Sequence, residues 1–311
     1  MKDLLRIADL SPDDLERLLD LSEVVHREPH RHADLFDGDT VITYFAKPST
    51  RTRLSFGSAI THLGGTPEVV GPNELQLGRG ETIEDTARVV SRYARAFVIR
   101  TYSDDDVRRF AGAATIPVIN ALTDLHHPCQ ALADLLTLRQ HFGHLKGLRL
   151  AYLGDGNNVA HSLMEACALA GVDITVATPP GFEPRPEILA GAEHLALGSG
   201  SVVWTTHDPL LAVAGADAVY TDVWLSMGDS DEERTERAAA LQPYQVNAAV
   251  MAEADADAVF MHCLPAHRGE EVSADVIDGP HSVVLDEAEN RMHTAQALLI
   301  ALTGGQLTGA G

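Results

Sequence analysis

The chain has 311 residues, enough for about two domains, and 45% of them are hydrophobic, so general disorder is excluded. No apolar run reaches the ~18 to 20 residues that a membrane-spanning helix needs. The 45 acidic residues outnumber the 23 basic ones and give a net charge of −22. This charge argues against nucleic acids and anionic membranes as partners, because both are bound by basic surfaces.

The first half of the chain alternates between helix and strand patterns. Ser11 followed by Pro12 is typical of a helix start, and a leucine-rich apolar face extends this predicted helix to Val25. A buried strand is predicted next, then a helix that begins at Ser49, and then two further strands. These elements are expected at 40–45, 49–62, 96–100 and 117–119.

The second half repeats the alternation after a strongly helical stretch at 128–142, which we interpret as a connector. Its predicted elements are a strand from Leu148, a helix at 158–170, and strands at 174–177, 218–221 and 258–262. A last helix, 290–302, is expected to return to the first domain. The pattern predicts an α/β fold of two domains, each a parallel-sheet three-layer α/β sandwich, joined by two interdomain helices. The expected boundaries are 1–127 with 290–311, 128–142 as connecting helix, and 143–289.

Polar and basic residues follow the strands of the first half at their carboxyl ends. Ser49, Thr50, Arg51 and Thr52 lie between a strand and a helix, where main-chain N–H groups and an arginine form a phosphate or carboxylate site. The alternative is an ordinary capped helix with exposed arginines. Arg100 ends another strand, where parallel sheets present their ligand groups, although alone it could be a salt-bridge residue.

The segment His127-Pro128-Cys129-Gln130 also follows a strand and begins a helix. Side chains such as His127 and Gln130 could donate hydrogen bonds to a carbonyl oxygen at this place. A single histidine in such a position is more often structural.

The turn Gly154-Asp155-Gly156-Asn157-Asn158 joins a strand to a helix but lacks the G-x-G-x-x-G pattern of a dinucleotide site. Its adjacent asparagines suit a small zwitterion better, because an amide offers both a donor and an acceptor. No cofactor is expected here.

Two further segments follow the last strands: Asp222 to Gly228 (DVWLSMG) and His262 to Gly269 (HCLPAHRG). Their one histidine pair and single cysteine do not have the spacing of a zinc site, so no metal is expected.

Together these segments resemble the aspartate/ornithine carbamoyltransferase superfamily over nearly the whole chain, from about Leu4 to Leu302. The STRTR and HPxQ segments belong to the whole superfamily, whereas DVWLSMG and HCLPAHRG are typical of its ornithine-specific branch. The segments at 78–93 and 286–299 are similar to that branch as well. Aspartate-specific members carry an HPLPR-like sequence and a loop lysine from a neighbouring subunit, and the matching loop here, 75–81, has no lysine.

The resemblance implies an enzyme that transfers the carbamoyl group of carbamoyl phosphate to the δ-amine of L-ornithine, giving L-citrulline and phosphate. It makes the first domain the carbamoyl-phosphate-binding domain and the second the ornithine-binding domain. The implied carbamoyl phosphate ligands are Ser49, Thr50, Arg51, Thr52, Gln76 of a neighbouring subunit, Arg100, His127, Gln130, Cys263, Leu264 and Arg291. The implied ornithine ligands are Asn158, Asp222, Ser226 and Met227. The catalytic residues are expected to be Arg100, His127, Asp222 and Cys263.

The implied assembly is a homotrimer, or a multiple of trimers, with shared active sites, because Gln76 must reach a neighbour's site. Whether Cys263 accepts the amine proton or only forms a hydrogen bond is left open by the residues. Other acceptors remain alternatives, namely putrescine, N-acylornithine and aspartate, and a nicotinamide-dependent dehydrogenase is the alternative from another class. Arginine synthesis and arginine breakdown use the same residues.

The cysteines, the N-terminal sequence and the net charge also predict where the protein works in the cell and in what kind of cell. Cys129, Cys167 and Cys263 are widely spaced, and the charged N-terminus does not resemble a signal peptide, so a reducing cytoplasm is predicted. The strong acidity indicates adaptation to a salty cytoplasm, since salt screens self-repulsion. Because 20 of the 23 basic residues are arginine, a GC-rich genome is the alternative explanation.

Overall fold

The computed structural model describes residues 1–75, 80–224 and 231–304, without the side chains of 231–233. The chain forms two compact units, Met1–Leu136 with Glu289–Gly311, and Thr137–Ala288. The division falls inside two helices, Pro128–Phe142 and Val284–Leu302. In the part of the chain that the structure describes, no helix combines the length and apolarity needed to cross a membrane.

The first unit is built on a four-stranded parallel sheet with the strand order β2-β1-β3-β4. In chain order its elements are α1 (Pro12–Arg27), β1 (Thr40–Phe45), α2 (Arg51–His62), β2 (Thr66–Val70), α3 (Ile83–Val90), β3 (Ala96–Arg100), α4 (Asp104–Ala113), β4 (Val118–Leu122) and α5 (Pro128–Phe142).

Local sequence explains where α1 begins, as predicted. The Ser11 hydroxyl accepts a hydrogen bond from the Asp14 amide at 3.1 Å, and Pro12 occupies the first helical position. The core beside the sheet is aromatic: the Phe97 and Phe110 rings stack with centroids 4.2 Å apart. Every residue of β4 is buried, which is typical of a parallel strand covered on both faces.

The second unit is built on a five-stranded parallel sheet with the order β7-β6-β5-β8-β9. Its elements are β5 (Arg149–Leu153), α6 (Asn158–Ala170), β6 (Asp173–Ala177), α7 (Pro186–Ser199), β7 (Val203–Thr206), α8 (Pro209–Val213), β8 (Ala218–Thr221), α9 (Asp231–Leu241), α10 (Ala248–Met251), β9 (Val259–His262), α11 (Ala274–Ile277) and α12 (Val284–Leu302), whose residues from Glu289 onward belong to the first unit.

The prediction of two α/β domains with parallel sheets is confirmed. Strands β5 and β8 are neighbours although β6 and β7 intervene in sequence, so the chain direction across the sheet reverses between them. Such a switch point leaves a crevice at the carboxyl ends of the two strands, where open α/β sheets bind ligands. Gly154 and Asp222 follow directly after these two strands.

Candidate active site

The carboxyl ends of β1 and β3 bring the predicted anion-binding residues of the first unit together. β1 leads into α2, which begins at Arg51 rather than at Ser49, with Thr50 as the residue before the first turn. The Thr50 side chain makes no capping hydrogen bond. Arg100 ends β3 opposite Phe45 of β1, so the Arg100 and α2 positions lie at one edge of the sheet.

Arg291 connects three of the predicted residues. One guanidinium nitrogen donates to the Thr52 hydroxyl at 3.1 Å, and another donates to the Gln130 side-chain oxygen. The Gln130 amide in turn donates to Asp134 at 2.8 Å, and Arg291, Gln130 and Asp134 are all buried. Gln130 therefore holds Arg291 through its side-chain oxygen and is itself held by Asp134.

His127 lies before the first turn of α5 and is only 5% exposed. Burial lowers the pKa of His127 well below its usual value, and the positive guanidinium groups of Arg291, Arg100 and Arg51 lower it further. The imidazole is therefore neutral at pH 7 and has one N–H to donate. Three guanidinium groups therefore lie close enough to His127 to affect its pKa. Although the chain as a whole is acidic, this local positive charge suits a multiply charged anion.

Cys129, two residues after His127, has a structural role in this cluster. Its thiol lies 3.4 Å from the Asn120 carbonyl oxygen, and burial raises its pKa to about 12. A thiol with so high a pKa does not form the nucleophilic thiolate at neutral pH.

In the second unit, the ends of β5, β8 and β9 bring Asn157, Asp222 and Cys263 together. The Cys263 thiol lies 2.9 Å from Asp222 Oδ1, which also accepts the Val223 amide at 2.8 Å. Asn157 Nδ2 donates to the other carboxylate oxygen at 2.8 Å. The predicted pair Asp222 and Cys263 is thus in direct contact.

Asn157, which sequence reasoning named in the turn but not among the implied ligands, has two roles. Its side-chain oxygen caps α6 by accepting the amides of Val159 and Ala160, at 2.9 and 3.1 Å. Its amide nitrogen holds Asp222. The predicted ligand Asn158 is the first residue of α6, whereas Asn157 is its N-cap. The sequence alone does not show which of the two adjacent asparagines caps the helix.

Sequence reasoning also missed a buried polar network around His262, the last residue of β9. The Leu264 amide donates to His262 Nδ1 at 2.8 Å, and His262 Nε2 lies 3.2 Å from Glu271 Oε1. The His262 and Glu271 side chains are both 0% exposed. Glu287 accepts the His262 amide at 2.9 Å and the Tyr220 hydroxyl at 3.2 Å.

This network holds the segment that carries Cys263 and Leu264. Leu264 has a φ of 55°, in the left-handed region that side-chain-bearing residues rarely adopt. Because such a conformation persists only when its surroundings enforce it, His262 fixes the backbone of the predicted site residues.

Of the remaining predicted residues, some are described by the structure and others are not. Ser49 and Thr50 precede α2 in the first unit, and Leu264 follows Cys263 in the second. Gln76, Ser226 and Met227 lie outside the described residues.

Arg237 of α9 is a further residue that sequence reasoning missed. Arg237 Nη2 lies 2.6 Å from Asp155 Oδ2 in the β5–α6 turn, and its Nε donates to the Trp224 carbonyl at 3.2 Å.

Three histidine- or cysteine-containing clusters among the described residues have ligand atoms within 4.8 Å of one another. One of them is Asp222, His262 and Cys263. In it Cys263 donates to Asp222 and His262 Nδ1 accepts the Leu264 amide, so the side chains are already hydrogen-bonded within the protein.

Comparison with known proteins identifies the family of this chain. The family model for the carbamoyl-P binding domain of aspartate/ornithine carbamoyltransferase matches residues 2–140, and the model for its Asp/Orn binding domain matches residues 146–302. Ornithine carbamoyltransferase of Parafrankia sp. is 53% identical over 97% of this chain and 96% of its own length.

The Bacillus subtilis ornithine carbamoyltransferase is 51% identical over 97% of this chain and 93% of its own length. The solved ornithine carbamoyltransferase structure from Pyrococcus furiosus superposes with a TM-score of 0.94 at 48% identity, covering 98% of both chains. This chain belongs to the aspartate/ornithine carbamoyltransferase family and groups within it with the ornithine carbamoyltransferases.

Proposed function

We propose that the protein transfers the carbamoyl group of carbamoyl phosphate to the δ-amine of L-ornithine, forming L-citrulline and phosphate. The observation that carries this proposal is the pair of clusters: a neutral His127 among three arginines in one unit, and an Asp222–Cys263 contact in the other. A catalyst accelerates both directions, so the same residues serve arginine synthesis and arginine breakdown.

Carbamoyl phosphate is the ligand of the first unit in this proposal. Its phosphate lies at the start of α2, where Ser49, Thr50 and the first main-chain amides face it, with Arg51 and Arg100 as cations. Gln76 of a neighbouring subunit completes the phosphate site.

The carbamoyl oxygen gains negative charge when the amine attacks the carbamoyl carbon. Donors that already point at this oxygen lower the barrier, and removal of one such donor costs about 3 kcal/mol. We assign Thr52, Arg100, His127 and Gln130 to this oxygen, while Arg291 keeps Thr52 and Gln130 in place.

The amine must lose a proton before it attacks. An alkylammonium group has a pKa of ~10.4, so only about one molecule in 2,500 is neutral at pH 7, which corresponds to ~4.6 kcal/mol. We assign Asp222 and Cys263 to the δ-amine and Asn158, Ser226 and Met227 to the rest of ornithine. Leu264 is the backbone partner of the carbamoyl group beside Cys263.

The test is citrulline formation by the purified chain from carbamoyl phosphate and L-ornithine, with putrescine, N-acetylornithine and L-aspartate offered in parallel. We expect turnover with L-ornithine at least about a hundredfold above the other amines. A folded chain that turns over another amine faster, or none, would refute the proposed acceptor.

We also propose that the chain works as a homotrimer, or a multiple of trimers, in the cytoplasm. The first unit exposes large apolar side chains that an interface would cover, among them Leu54 at 65% and Tyr93 at 75%. Light scattering coupled to size-exclusion chromatography gives the molar mass, and a monomer that is fully active would refute the shared site.

A further inference from the structure

A histidine cluster in the first unit lies apart from all the residues assigned to carbamoyl transfer. His26 is in the last turn of α1, whereas Glu289 and His293 are one turn apart on α12. His26 Nδ1 lies 3.0 Å from His293 Nε2, and this same Nε2 lies 3.4 Å from Glu289 Oε1. All three ligand atoms are within 4.8 Å of one another.

The distances between these atoms agree with those around one metal ion. Metal–nitrogen and metal–oxygen bonds of Zn²⁺ are about 2.0 to 2.2 Å, so two ligands on a tetrahedral ion are ~3.3 Å apart. The 3.0 and 3.4 Å separations are close to this value. Small side-chain rotations would therefore bring all three atoms onto one ion.

The chemistry of the donors also indicates a class of metal. Two imidazoles with one carboxylate, and no thiolate, form a site for Zn²⁺ and the neighbouring divalent ions Co²⁺, Ni²⁺ and Cu²⁺. Ca²⁺ and Mg²⁺ prefer oxygen ligands. Three protein ligands leave a fourth position for water, and Glu289 is 59% exposed, so solvent reaches the site.

The hydrogen bonds of the cluster are poorly matched without an ion. If His293 Nε2 carries a proton, it faces two acceptors, His26 Nδ1 and Glu289 Oε1; if His26 Nδ1 carries it instead, His293 Nε2 and Glu289 Oε1 face each other as two acceptors. A cation placed among the three would instead accept one lone pair from each of the three ligand atoms. His293 is only 3% exposed, so its ring is held in place by the packing around it.

The surroundings of the cluster are rich in further donors and firmly held. The His30 and His62 rings are in contact, with centroids 4.8 Å apart, and among the described residues the buried Nδ1 of His62 has no hydrogen-bond partner. Gln296, three residues after His293 on α12, donates to the Pro29 carbonyl at 2.7 Å. The end of α1 and this face of α12 therefore meet in a fixed arrangement.

We propose that His26, Glu289 and His293 bind one divalent transition-metal ion, with Zn²⁺ as the best match. The ion would join the end of α1 to α12. Its two ligands on α12, Glu289 and His293, are each two residues from Arg291. Its effect is structural: it stabilises the helix that carries Arg291.

The experiment uses the full chain with Cys263→Ser and His267→Ala, which removes the key ligands of the other two candidate clusters. After EDTA treatment and dialysis, this parent is titrated with Co²⁺, whose visible absorption reports tetrahedral nitrogen and oxygen ligands. Thermal unfolding with and without Zn²⁺ is the second measurement. The matched control is His194→Ala, which removes an exposed histidine of α7 in the second unit.

We expect about one equivalent of bound Co²⁺ in the parent and in the His194→Ala variant. His26→Ala and His293→Ala should weaken binding at least tenfold, and Zn²⁺ should no longer raise their unfolding temperature by several degrees. His26 is exposed, so His26→Ala is expected to fold. Absence of binding in the parent, or equal binding by His26→Ala and His194→Ala, would overturn the proposal.

Discussion

The Cys263 thiol and the Asp222 carboxylate are in direct contact, with 2.9 Å between Sγ and Oδ1. Asn157 and the Val223 amide also donate to Asp222, so three donors fix its orientation. Because these residues follow three different strands, the contact depends on the sheet order that places β5, β8 and β9 side by side. In the proposed function, this pair at the carboxyl edge of the second sheet is assigned to the δ-amine of ornithine.

Replacing Cys263 by alanine should lower kcat for citrulline formation by about a hundredfold or more, since positioned proton-transfer groups contribute 10²- to 10⁴-fold. The measurement is kcat against pH, from pH 6 to 10. Cys167→Ala is the control, because it removes a fully buried thiol of α6. If the two variants have equal kcat, Cys263 has no part in the chemistry.

The buried histidine His127 predicts how stability depends on pH. Burial and the nearby Arg291, Arg100 and Arg51 keep its pKa well below ~6.5, the value expected in the unfolded chain. As pH falls below ~6.5, the unfolded chain therefore takes up a proton that the folded chain does not, and the free energy of unfolding decreases. The decrease reaches at most ~1.4 kcal/mol per pH unit for this histidine.

His127→Asn should therefore flatten the pH dependence of unfolding between about pH 7 and pH 5, whatever it does to stability at pH 7. Denaturant titrations at several pH values give this slope. His194→Asn, an exposed histidine change, should leave the slope as it is in the unaltered chain. An unchanged or steeper slope for His127→Asn would show that the fold does not lower the pKa of this imidazole.

Gly156 allows the β5–α6 turn to approach the main chain at 182–184 closely. A Cβ atom at this position would lie 2.3 Å from the Pro184 nitrogen and 2.6 Å from the Glu183 carbonyl carbon. These are backbone atoms, so Gly156→Ala must displace the turn and with it the neighbouring Asn157, which holds Asp222. We expect a stability loss of about 1 to 3 kcal/mol.

The same variant should raise KM for L-ornithine more than KM for carbamoyl phosphate, because the turn belongs to the second unit. Gly191→Ala is the matched control. A Cβ there has no atom within 4 Å, and Gly191 lies inside α7, so alanine should stabilise the chain by about 0.5 to 1 kcal/mol. Equal effects of the two substitutions would contradict the role of the turn.

The network below Leu264 predicts a difference between two substitutions of Glu271. Glu271→Ala leaves the His262 Nε2–H buried without its acceptor, which costs about 1 to 3 kcal/mol and frees the Leu264 backbone. Glu271→Gln keeps a carbonyl oxygen at the same place and should recover most of kcat. The neighbouring Glu270, whose side chain is 46% exposed, is the control position. Loss of kcat in Glu270→Ala comparable to that in Glu271→Ala would refute a positioning role for Glu271.

The central strands could be predicted from the sequence because they are continuously apolar and bounded by polar turns. The edge strands β2 and β7 could not. β2 (TPEVV) contains Pro67 and Glu68 and is only half buried, and β7 is a short strand with the exposed Trp204. The other two edge strands, β4 and β9, are buried at every position, and the sequence did predict them. Incomplete burial, and not the edge position alone, therefore removes the apolar signal from β2 and β7.

The site residues divide in the same way. Those at a strand end, such as Arg100 as the last residue of β3 and Asp222 directly after β8, can be predicted because parallel sheets place ligands at strand ends. Hydrogen-bond partners that are distant in sequence and meet only in the folded chain cannot be predicted in this way. Glu271 and Glu287 reach His262 from 9 and 25 positions along the chain, and no local pattern links them.

The net charge of −22 leads to a prediction about salt. At low ionic strength the acidic side chains repel one another over ~10 Å or more, whereas molar KCl screens this repulsion to ~3 Å. If the acidity is an adaptation to a salty cytoplasm, the unfolding temperature should rise steeply between 0.1 and 2 M KCl, and kcat should rise with it. A chain that is acidic only by genome composition should gain little.

The measurement is thermal unfolding and citrulline formation across that KCl range. Sucrose at matched osmotic strength is the control, because it favours compact states without screening charge. An equal gain in sucrose would mean that screening is not the cause. Full activity and an unchanged unfolding temperature at 0.1 M KCl would contradict the adaptation, and the arginine-rich composition would then be explained by the genome.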